Sequence, residues 1–553
     1  MRKTTRTSAP RWRGTGALAL CLAAACGDQT AALPGELVWE PCSLDSDGSG
    51  PDAECVRVAV PAHWEDPSAG AIELFVKRHG GGGTQLWLLN GGPGASGADF
   101  EPMAELFVGE EPTLQVYLLD HRGTGRSSRL GCDAEEDTSP GAFAILEEEW
   151  ADCLAQVEAQ WSTLLGGFTT TNAARDLGWL IDQTREPGRE VIVWGGSYGT
   201  RWAQRYLQVY PDQADGVSLS GIASPETSFS EYDARYDVVG RAFLASCAED
   251  ESCAAKLGDD PVGVADQVME NLDTRCPASG LDRSELRRFF ALLLISYWDE
   301  RTLIPAVLYR LDRCDPGDVA ALQYLDHVLN QPAQPSLYER LHSPVLGTHI
   351  GLSEFFAGAP TVAEAQAVVD GTIFSLAVGP RYAMRYDTWP RYPLDRFAGG
   401  FADSPVPMLL LQGEYDPATP LAFALAVRDA FDGPGQHFFE FPNAPHTFHS
   451  PTAAGYECHL VMLYRWVLDP TAPPFDCVAQ ILPQDFAGNP DLAAYFNTTD
   501  VWENTDAVAG IPATPRRLDA VRRDYQNSAR DLMPGAPSRA STSWNERPSS
   551  LLR

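Results

Sequence analysis

Three side chains in this sequence have the types needed for nucleophilic catalysis: Ser197, Asp416 and His446. A serine hydroxyl becomes an effective nucleophile when an imidazole removes its proton and a carboxylate orients that imidazole. Each of the three residues follows a short apolar run that is typical of a buried strand. The sequence therefore predicts acyl transfer, with Ser197 as the nucleophile, His446 as the base and Asp416 as the orienting acid.

The segment around Ser197 carries the most specific signal. The apolar run 191–194 leads into G-G-S-Y-G (195–199), which is followed by a helical pattern. A G-x-S-x-G motif between a strand and a helix forms a sharp turn that lifts the serine hydroxyl clear of the sheet. The flanking residues must be glycine because a side chain would collide with the neighbouring strand and helix. The motif therefore indicates a nucleophile turn.

The acid and the base each have a neighbouring alternative. Glu414 precedes Asp416 by two residues, so a shifted turn could present Glu414 instead. His449 follows His446 by three residues in the same loop. Asp416 and His446 are preferred because each lies in the loop directly after a predicted strand.

A glycine-rich loop, N-G-G-P-G (90–94), follows an earlier predicted strand. Such a loop can present a backbone N–H to the oxyanion of a tetrahedral intermediate. Gly91 or Gly92 could supply this N–H, whereas Pro93 cannot donate. The backbone N–H of Tyr198, next to the nucleophile, is the expected second donor.

Alternating apolar runs and helical patterns predict an α/β fold: a mostly parallel, twisted sheet with helices on both faces. The predicted strands are 85–89, 115–119, 190–194, 216–220, 408–411 and 437–441. Crossover helices are predicted at 171–183 and 200–210. Residues 224–403 interrupt this alternation with helical patterns such as 284–298 and 302–311, and therefore predict an inserted helical cap. The core is expected in two parts, 36–223 and 404–510.

The N-terminus has the pattern of an export signal. Residues 1–25 combine five basic residues and no acid with a short apolar run, and Cys26 follows. The Leu-Ala-Ala-Ala-Cys ending (22–26) predicts lipidation of Cys26, with ordinary signal cleavage as the alternative. Residues 511–553 form a basic, Ser- and Pro-rich tail that is predicted to be partly disordered.

Composition limits the classes of partner. The formal net charge is −34, so the surface repels nucleic acid and anionic lipid, and membrane association is expected only through a lipid at Cys26. Apart from Cys21 and Cys26, the chain has ten cysteines, an even number that suggests five disulfides in an exported chain. Pairing of nearest neighbours is predicted. The sequence contains no C-x-x-C pair, which is the cysteine spacing typical of zinc sites.

Four motifs together resemble the proline iminopeptidase and tripeptidyl aminopeptidase branch of the α/β-hydrolases. They are N-G-G-P-G (90–94), D-H-R-G-T-G-R-S (120–127), G-G-S-Y-G-T-R (195–201) and Y-D-P-A-T-P (415–420). The order serine, acid, histidine is also that of α/β-hydrolases. Asn90 replaces the histidine of many iminopeptidases, which favours the tripeptidyl type. The resemblance covers roughly 39–506 and implies release of residues or short peptides from free N-termini, without metal or cofactor.

An aminopeptidase must also bind the protonated α-amine of its peptide substrate. Glu354, within the predicted cap, is the candidate carboxylate for this contact. Two alternatives remain open. The same triad could hydrolyse an ester, amide or lactone without a free amine, or the chain could be an inactive envelope lipoprotein that binds a partner.

Overall fold

One β-sheet of nine strands organises the computed structural model, which describes residues 34–504 except 137, 142–143, 332–335 and 447–448. The strands are Glu40–Ser43 (β1), Asp52–Pro61 (β2), Ala71–Gly80 (β3), Gln85–Leu89 (β4), Gln115–Leu119 (β5), Val191–Gly196 (β6), Gly216–Ser220 (β7), Met408–Gly413 (β8) and Gln436–Phe441 (β9). Their order is β1-β2-β3-β5-β4-β6-β7-β8-β9. Strands β1 to β3 pair antiparallel, and β3 pairs antiparallel with β5. All other pairs are parallel, so the predicted mostly parallel sheet is confirmed.

All six predicted strands are present, and their bounds agree with the prediction to within two residues. Strands β1 to β3 were not predicted from the sequence. In β2, buried and more exposed residues nevertheless alternate, with Val56, Val58 and Val60 buried between more exposed neighbours. This period of two is the pattern expected for an antiparallel strand with one covered face.

Helices cover both faces of the sheet. They are Glu101–Glu110 (α1), Trp150–Trp161 (α2), Thr170–Thr184 (α3), Tyr198–Val209 (α4), Tyr232–Ser246 (α5), Glu251–Leu257 (α6), Pro261–Arg275 (α7), Arg283–Ser296 (α8), Leu303–Arg313 (α9), Pro316–Leu329 (α10), Pro344–Ile350 (α11), Val362–Asp370 (α12), Val378–Arg385 (α13), Leu421–Ala430 (α14) and Cys458–Leu468 (α15). In β4, Trp87 and Leu89 belong to the same core cluster as residues of α3 and α4. Leu86 and Leu88 belong to the cluster that contains residues of α1 and α15.

In its described part, the chain between β7 and β8 contains the helices α5 to α13 with connecting loops, and no strand. This stretch corresponds to the predicted cap, and α8 and α9 match the helices predicted at 284–298 and 302–311. One π-helical turn, Gly351–Phe355, directly follows α11. π-Helical turns occur frequently at functional sites because they widen the helix locally and re-aim side chains.

Five disulfides link neighbouring cysteines and confirm the predicted pairing. The pairs are Cys42–Cys55, Cys132–Cys153, Cys247–Cys253, Cys276–Cys314 and Cys458–Cys477. Two of them lie within the helical insertion, Cys42–Cys55 joins β1 to β2, and the other two lie in segments outside the strands.

The predicted signal segment 1–25, Cys26 and the tail 511–553 lie outside the described residues. Within the described ranges, no helix combines the length and apolar character needed to cross a membrane. The described chain also holds no group of three or more His, Cys, Asp or Glu side chains placed to bind a metal ion.

Candidate active site

Ser197 occupies the turn between β6 and α4, as the sequence predicts. Its backbone angles are φ 56° and ψ −125°, which place a non-glycine residue in the positive-φ region. Such a conformation costs on the order of 1–3 kcal/mol and persists where the surrounding structure enforces it. The Ser197 N–H donates to the carbonyl oxygen of Ser220 at 2.9 Å, which fixes the turn against β7. The side chain is partly exposed at this edge of the sheet.

The glycines of the motif are required by close backbone contacts. A Cβ at Gly195 would lie 2.3 Å from the carbonyl oxygen of Gly199. A Cβ at Gly199 would lie 2.1 Å from the carbonyl oxygen of Leu89 in β4. Both separations are far below contact distance, so a larger residue at either position would displace the nucleophile turn.

His446 and Asp416 form a buried pair. His446 Nδ1 lies 2.8 Å from Asp416 Oδ2, and the side chains are 4% and 0% exposed. Because a carboxylate can only accept, Nδ1 carries the proton that it donates to Asp416. This tautomer leaves Nε2 free to accept a proton, and no described residue forms a hydrogen bond to that atom. The pair is therefore oriented as a general base requires.

The carboxylate of Asp416 is held by four further groups. Its Oδ1 accepts from the backbone N–H groups of Ala418 and Thr419 at 2.9 and 2.8 Å. Its Oδ2 accepts from the Thr419 hydroxyl at 2.8 Å and from Gln412 Nε2 at 3.2 Å. The role of Thr419 was not predicted from the sequence. The signal was its position three residues after an aspartate in a turn, where such hydrogen bonds are common.

Thr419 also lies 3.2 Å from His446 Nδ1 through its hydroxyl, so it contacts both members of the pair. We expect Thr419→Val to lower kcat/KM by about ten- to a hundredfold, the effect of losing one hydrogen bond to a charged group. Thr419→Ser keeps the hydroxyl and is expected to stay within about threefold of the parent. Steady-state kinetics on one chromogenic substrate compare the two variants, and equal losses in both would contradict a role for the hydroxyl.

The two alternative residues are engaged elsewhere. Glu414 Oε2 accepts from the backbone N–H of Asn443 at 2.9 Å and so supports the loop that carries His446. His449 Nδ1 lies 4.0 Å from Glu457 Oε1. The structure thus places Asp416 and His446, and not Glu414 and His449, in the acid–imidazole contact.

The glycine-rich loop 90–94 packs directly over Ser197. A Cβ at Gly91 would lie 2.8 Å from Ser197 Cβ and 3.2 Å from Ser197 Oγ. The Gly91 N–H, however, donates to the side-chain oxygen of Asn90 at 2.7 Å. Gly91 was one of two predicted oxyanion donors, and this bond removes it from that role. The N–H of Gly92, which lines the cavity beside Ser197, is the donor that remains.

Tyr198 is the first residue of α4, so its N–H has no partner within the helix and is available as the second donor. Its side chain fixes the start of the helix. His121 Nδ1 must donate to the carbonyl oxygen of Arg122 at 2.6 Å, so Nε2 accepts from the Tyr198 hydroxyl at 3.2 Å. Burial lowers the pKa of His121 to about 4, which keeps this imidazole neutral.

The cavity beside Ser197 contains about 350 Å³ of empty space, part of it open to solvent. None of the described residues that line it carries a charge, and aromatic side chains from the helical insertion form one wall. The rings of Phe229 and Phe355 stack there, with centroids 5.1 Å apart. The full lining is Gly92, Pro93, Ser197, Tyr198, Ala223, Thr227, Phe229, Tyr232, Phe355, Ala418 and Thr419.

Glu354 does not have the surroundings of an amine-binding residue, and the prediction for it is corrected. Its side chain is 3% exposed and pairs with Arg205 of α4 at 2.9 Å. Its other oxygen accepts from the Tyr392 hydroxyl at 2.7 Å. Burial alone would raise the pKa of Glu354, but Arg205 and Arg201 outweigh it and lower the pKa. The carboxylate is therefore ionised and neutralised internally, and its neighbour Phe355 faces the cavity instead.

Comparisons with known proteins find distant relatives of this chain. A tripeptidyl aminopeptidase of Streptomyces lividans is 28% identical over 223 residues, which is 36% of this chain and 40% of the relative. A serine protease, Hip1, of Mycobacterium tuberculosis is 26% identical over 257 residues, which is 40% of this chain and 47% of the relative. The aligned region thus spans less than half the length of these curated relatives. The solved monoacylglycerol lipase of Paleococcus ferrophilus matches 72% of this chain and 99% of its own, with 16% identity and a TM-score of 0.32.

The predicted resemblance to tripeptidyl aminopeptidases is therefore confirmed as a distant sequence relationship. The family model described as the alpha/beta hydrolase fold matches residues 86–451, the part of the chain that contains β4 to β9 and the helical insertion. The same range includes Ser197, Asp416 and His446. The chain belongs to the α/β-hydrolase fold family.

Proposed function

We propose that this protein is an exported serine peptidase that releases short peptides, of the tripeptidyl type, from free N-termini. The observation that carries the proposal is the buried pair of His446 and Asp416, 2.8 Å apart, at the sheet edge that also carries the Ser197 turn. An imidazole oriented by a carboxylate and a strained serine turn are the two parts that nucleophilic catalysis needs.

The reaction follows the acyl-enzyme route. Ser197 Oγ attacks the scissile carbonyl carbon while His446 Nε2 takes its proton, and Asp416 stabilises the imidazolium that forms. The oxyanion accepts hydrogen bonds from the N–H groups of Gly92 and Tyr198. His446 then gives its proton to the leaving amine, and the C–N bond breaks. His446 then deprotonates a water molecule, which attacks the carbonyl carbon of the ester on Ser197. The ester C–O bond breaks, Ser197 regains its proton from His446, and the short peptide leaves with a free carboxylate.

The uncharged cavity supports release of a short peptide and not of a single residue. The α-nitrogen of an acyl residue lies about 2.5 Å from its carbonyl carbon, so a carboxylate that binds this amine must lie within roughly 6 Å of that carbon. No such group lines the described cavity beside Ser197. In a tripeptidyl group, two additional residues place the α-amine up to about 7 Å farther from the scissile carbonyl carbon. The amine then lies beyond the aromatic wall of the cavity.

Export is supported by the five disulfides among the described residues, because disulfides persist in oxidising compartments. Lipidation of Cys26 belongs to the same proposal and would hold the protein at the cell envelope. The acidic composition suits a substrate with a positive N-terminus.

A pair of matched substrates tests the peptidase proposal. The purified chain from residue 27 onward is given Ala-Ala-Pro-p-nitroanilide and its N-acetylated form. We expect the free-amine peptide to have at least about tenfold higher kcat/KM, because a buried ammonium–carboxylate contact contributes on the order of 2 kcal/mol. Alanine p-nitroanilide is expected to be a poor substrate because its amine would lie in the uncharged cavity.

The apolar cavity also suits a second function, hydrolysis of a small ester, amide or lactone by the same triad. Equal turnover of the free and acetylated peptides, together with faster cleavage of p-nitrophenyl butyrate, would favour that function. A fluorophosphonate probe separates both enzymes from an inactive binding protein, since covalent labelling of Ser197 requires an activated nucleophile.

A further inference from the structure

A segment of the helical insertion, residues 338–343, runs along the oxyanion loop 90–94 and is hydrogen-bonded to it. The Ser343 N–H donates to the carbonyl oxygen of Gly94 at 2.8 Å. The hydroxyl of Thr124 donates to the carbonyl oxygens of both Gly94 and Leu341, each at 3.1 Å. Residues 338–343, called the strap below, therefore share backbone contacts with the loop that supplies the Gly92 N–H.

Side chains form a second connection between the strap and the loop. His342 Nε2 lies 2.8 Å from Asp99 Oδ2, and the same oxygen accepts from Asn90 Nδ2 at 2.7 Å. Asn90 then accepts from the Gly91 N–H at 2.7 Å through its side-chain oxygen. His342, Asp99 and Asn90 thus link the strap to the backbone of Gly91, one residue before the proposed oxyanion donor.

This relay is shielded from water, and its central member is a carboxylate. The side chains of His342 and Asp99 are 10% and 8% exposed. Burial by itself would lower the pKa of His342, but the neighbouring Asp99 outweighs it, so the pKa is raised. Hydrogen bonds between ionised groups are roughly twice as strong as neutral ones, and they gain further strength where water is excluded.

The hydrogen bonds of the Asn90 side chain restrict its movement. Its amide nitrogen also donates to the carbonyl oxygen of Ser96 at 2.6 Å, so both of its polar atoms are bonded within the loop region. Ser96 is in turn anchored by the buried carboxylate of Asp120, whose Oδ1 accepts from the Ser96 hydroxyl at 2.5 Å. Among these supports, His342 is the one that comes from the helical insertion.

We propose that His342 is a positioning residue that, through Asp99 and Asn90, holds the oxyanion loop in the geometry that stabilises the transition state. The proposal rests on the serine-hydrolase function proposed above. Full catalytic activity then requires the strap to be docked on the oxyanion loop. The helical insertion has two roles in this arrangement: it lines the substrate cavity, and it sets the position of the Gly92 N–H.

The test compares variants of the strap in the chain that contains all residues after the signal segment. His342→Leu removes the bond to Asp99, whereas His342→Gln can restore it through its amide nitrogen. Tyr338→Phe is the matched control, because it removes a different hydrogen bond of the strap, which the Tyr338 hydroxyl donates to Glu101 at 2.9 Å, and leaves the contact between His342 and Asp99 in place. The readouts are kcat and KM for Ala-Ala-Pro-p-nitroanilide and the rate constant of fluorophosphonate labelling.

An oxyanion donor acts mainly in the transition state, so its displacement lowers kcat and leaves KM nearly unchanged. We expect kcat and the labelling rate to fall about tenfold or more in His342→Leu and to stay within about threefold of the parent in His342→Gln and Tyr338→Phe, since loss of a whole donor costs 10²–10³. Equal kcat in His342→Leu and Tyr338→Phe would overturn the proposal, as would a change in KM alone.

Two further measurements keep this result interpretable. If His342→Leu loses cooperative thermal unfolding, the Asp99→Leu variant takes its place, because leucine is similar in size to aspartate and cannot accept from His342 or Asn90, and the same loss in kcat is expected. An unchanged kcat in Asp99→Leu would then overturn the relay. If the parent is labelled by the probe but cleaves no peptide, the peptidase proposal fails while the labelling rates still report on His342.

Discussion

Replacing Ser197 by alanine is expected to lower kcat by about a millionfold, to the background of the assay, because no other group can form the acyl-enzyme. Alanine keeps the Cβ atom, so the positive-φ backbone at this position is retained with the same strain. The Ser197 side-chain hydroxyl forms no hydrogen bond to a described residue. Its loss should therefore affect chemistry and not folding.

Two measurements separate these effects. Hydrolysis of the tripeptidyl anilide and labelling by the fluorophosphonate should both disappear in Ser197→Ala. The midpoint of thermal unfolding should stay within about 2 °C of the parent, as for substitutions that remove no packing and no structural hydrogen bond. Turnover that survives in Ser197→Ala, in a protein free of contaminating peptidase, would show that another residue is the nucleophile.

The sequence was sufficient to predict the parallel half of the sheet, because buried parallel strands are continuous apolar runs bounded by turn residues. Residues 85–89, 115–119 and 216–220 have the same bounds in the structure and in the prediction. The antiparallel strands β1 to β3 were missed because their mixed composition shows only alternation, which is a weaker signal than a continuous apolar run.

In the site, too, some residues could be predicted from the sequence and others could not. Ser197, Asp416 and His446 follow strands of fixed order, so chain topology brings their loops to one edge of the sheet. Long-range pairing inside the helical insertion follows no such rule. Glu354 could not be recognised as the partner of Arg205, because the two residues are 149 positions apart and only the folded insertion brings them together.

The choice between two oxyanion donors also required coordinates. Gly91 and Gly92 are equivalent in the sequence, and both have backbone freedom that the loop can use. The structure distinguishes them because Asn90 accepts the Gly91 N–H through its own side chain. That bond depends on the rotamer of Asn90, which Asp99 and Ser96 fix from positions that the sequence did not connect with the site.

Asp416→Asn is expected to lower kcat by about four orders of magnitude, by analogy with the aspartate of other serine triads. Asparagine has the same shape, but its amide can donate a proton to His446 Nδ1, which would move the imidazole proton to Nε2. An imidazole that is protonated at Nε2 cannot accept the proton of Ser197. The loss should therefore appear in kcat and in the labelling rate, with KM changed little.

Glu414→Gln is the matched control, since it makes the same carboxylate-to-amide change two residues away. Its amide oxygen can still accept from the Asn443 N–H, the contact that Glu414 makes at 2.9 Å. We expect kcat within about threefold of the parent, the effect of weakening one hydrogen bond to a charged group. A larger loss in Glu414→Gln than in Asp416→Asn would reassign the orienting acid. The geometry favours Asp416, whose oxygens accept four further hydrogen bonds besides the one from the imidazole.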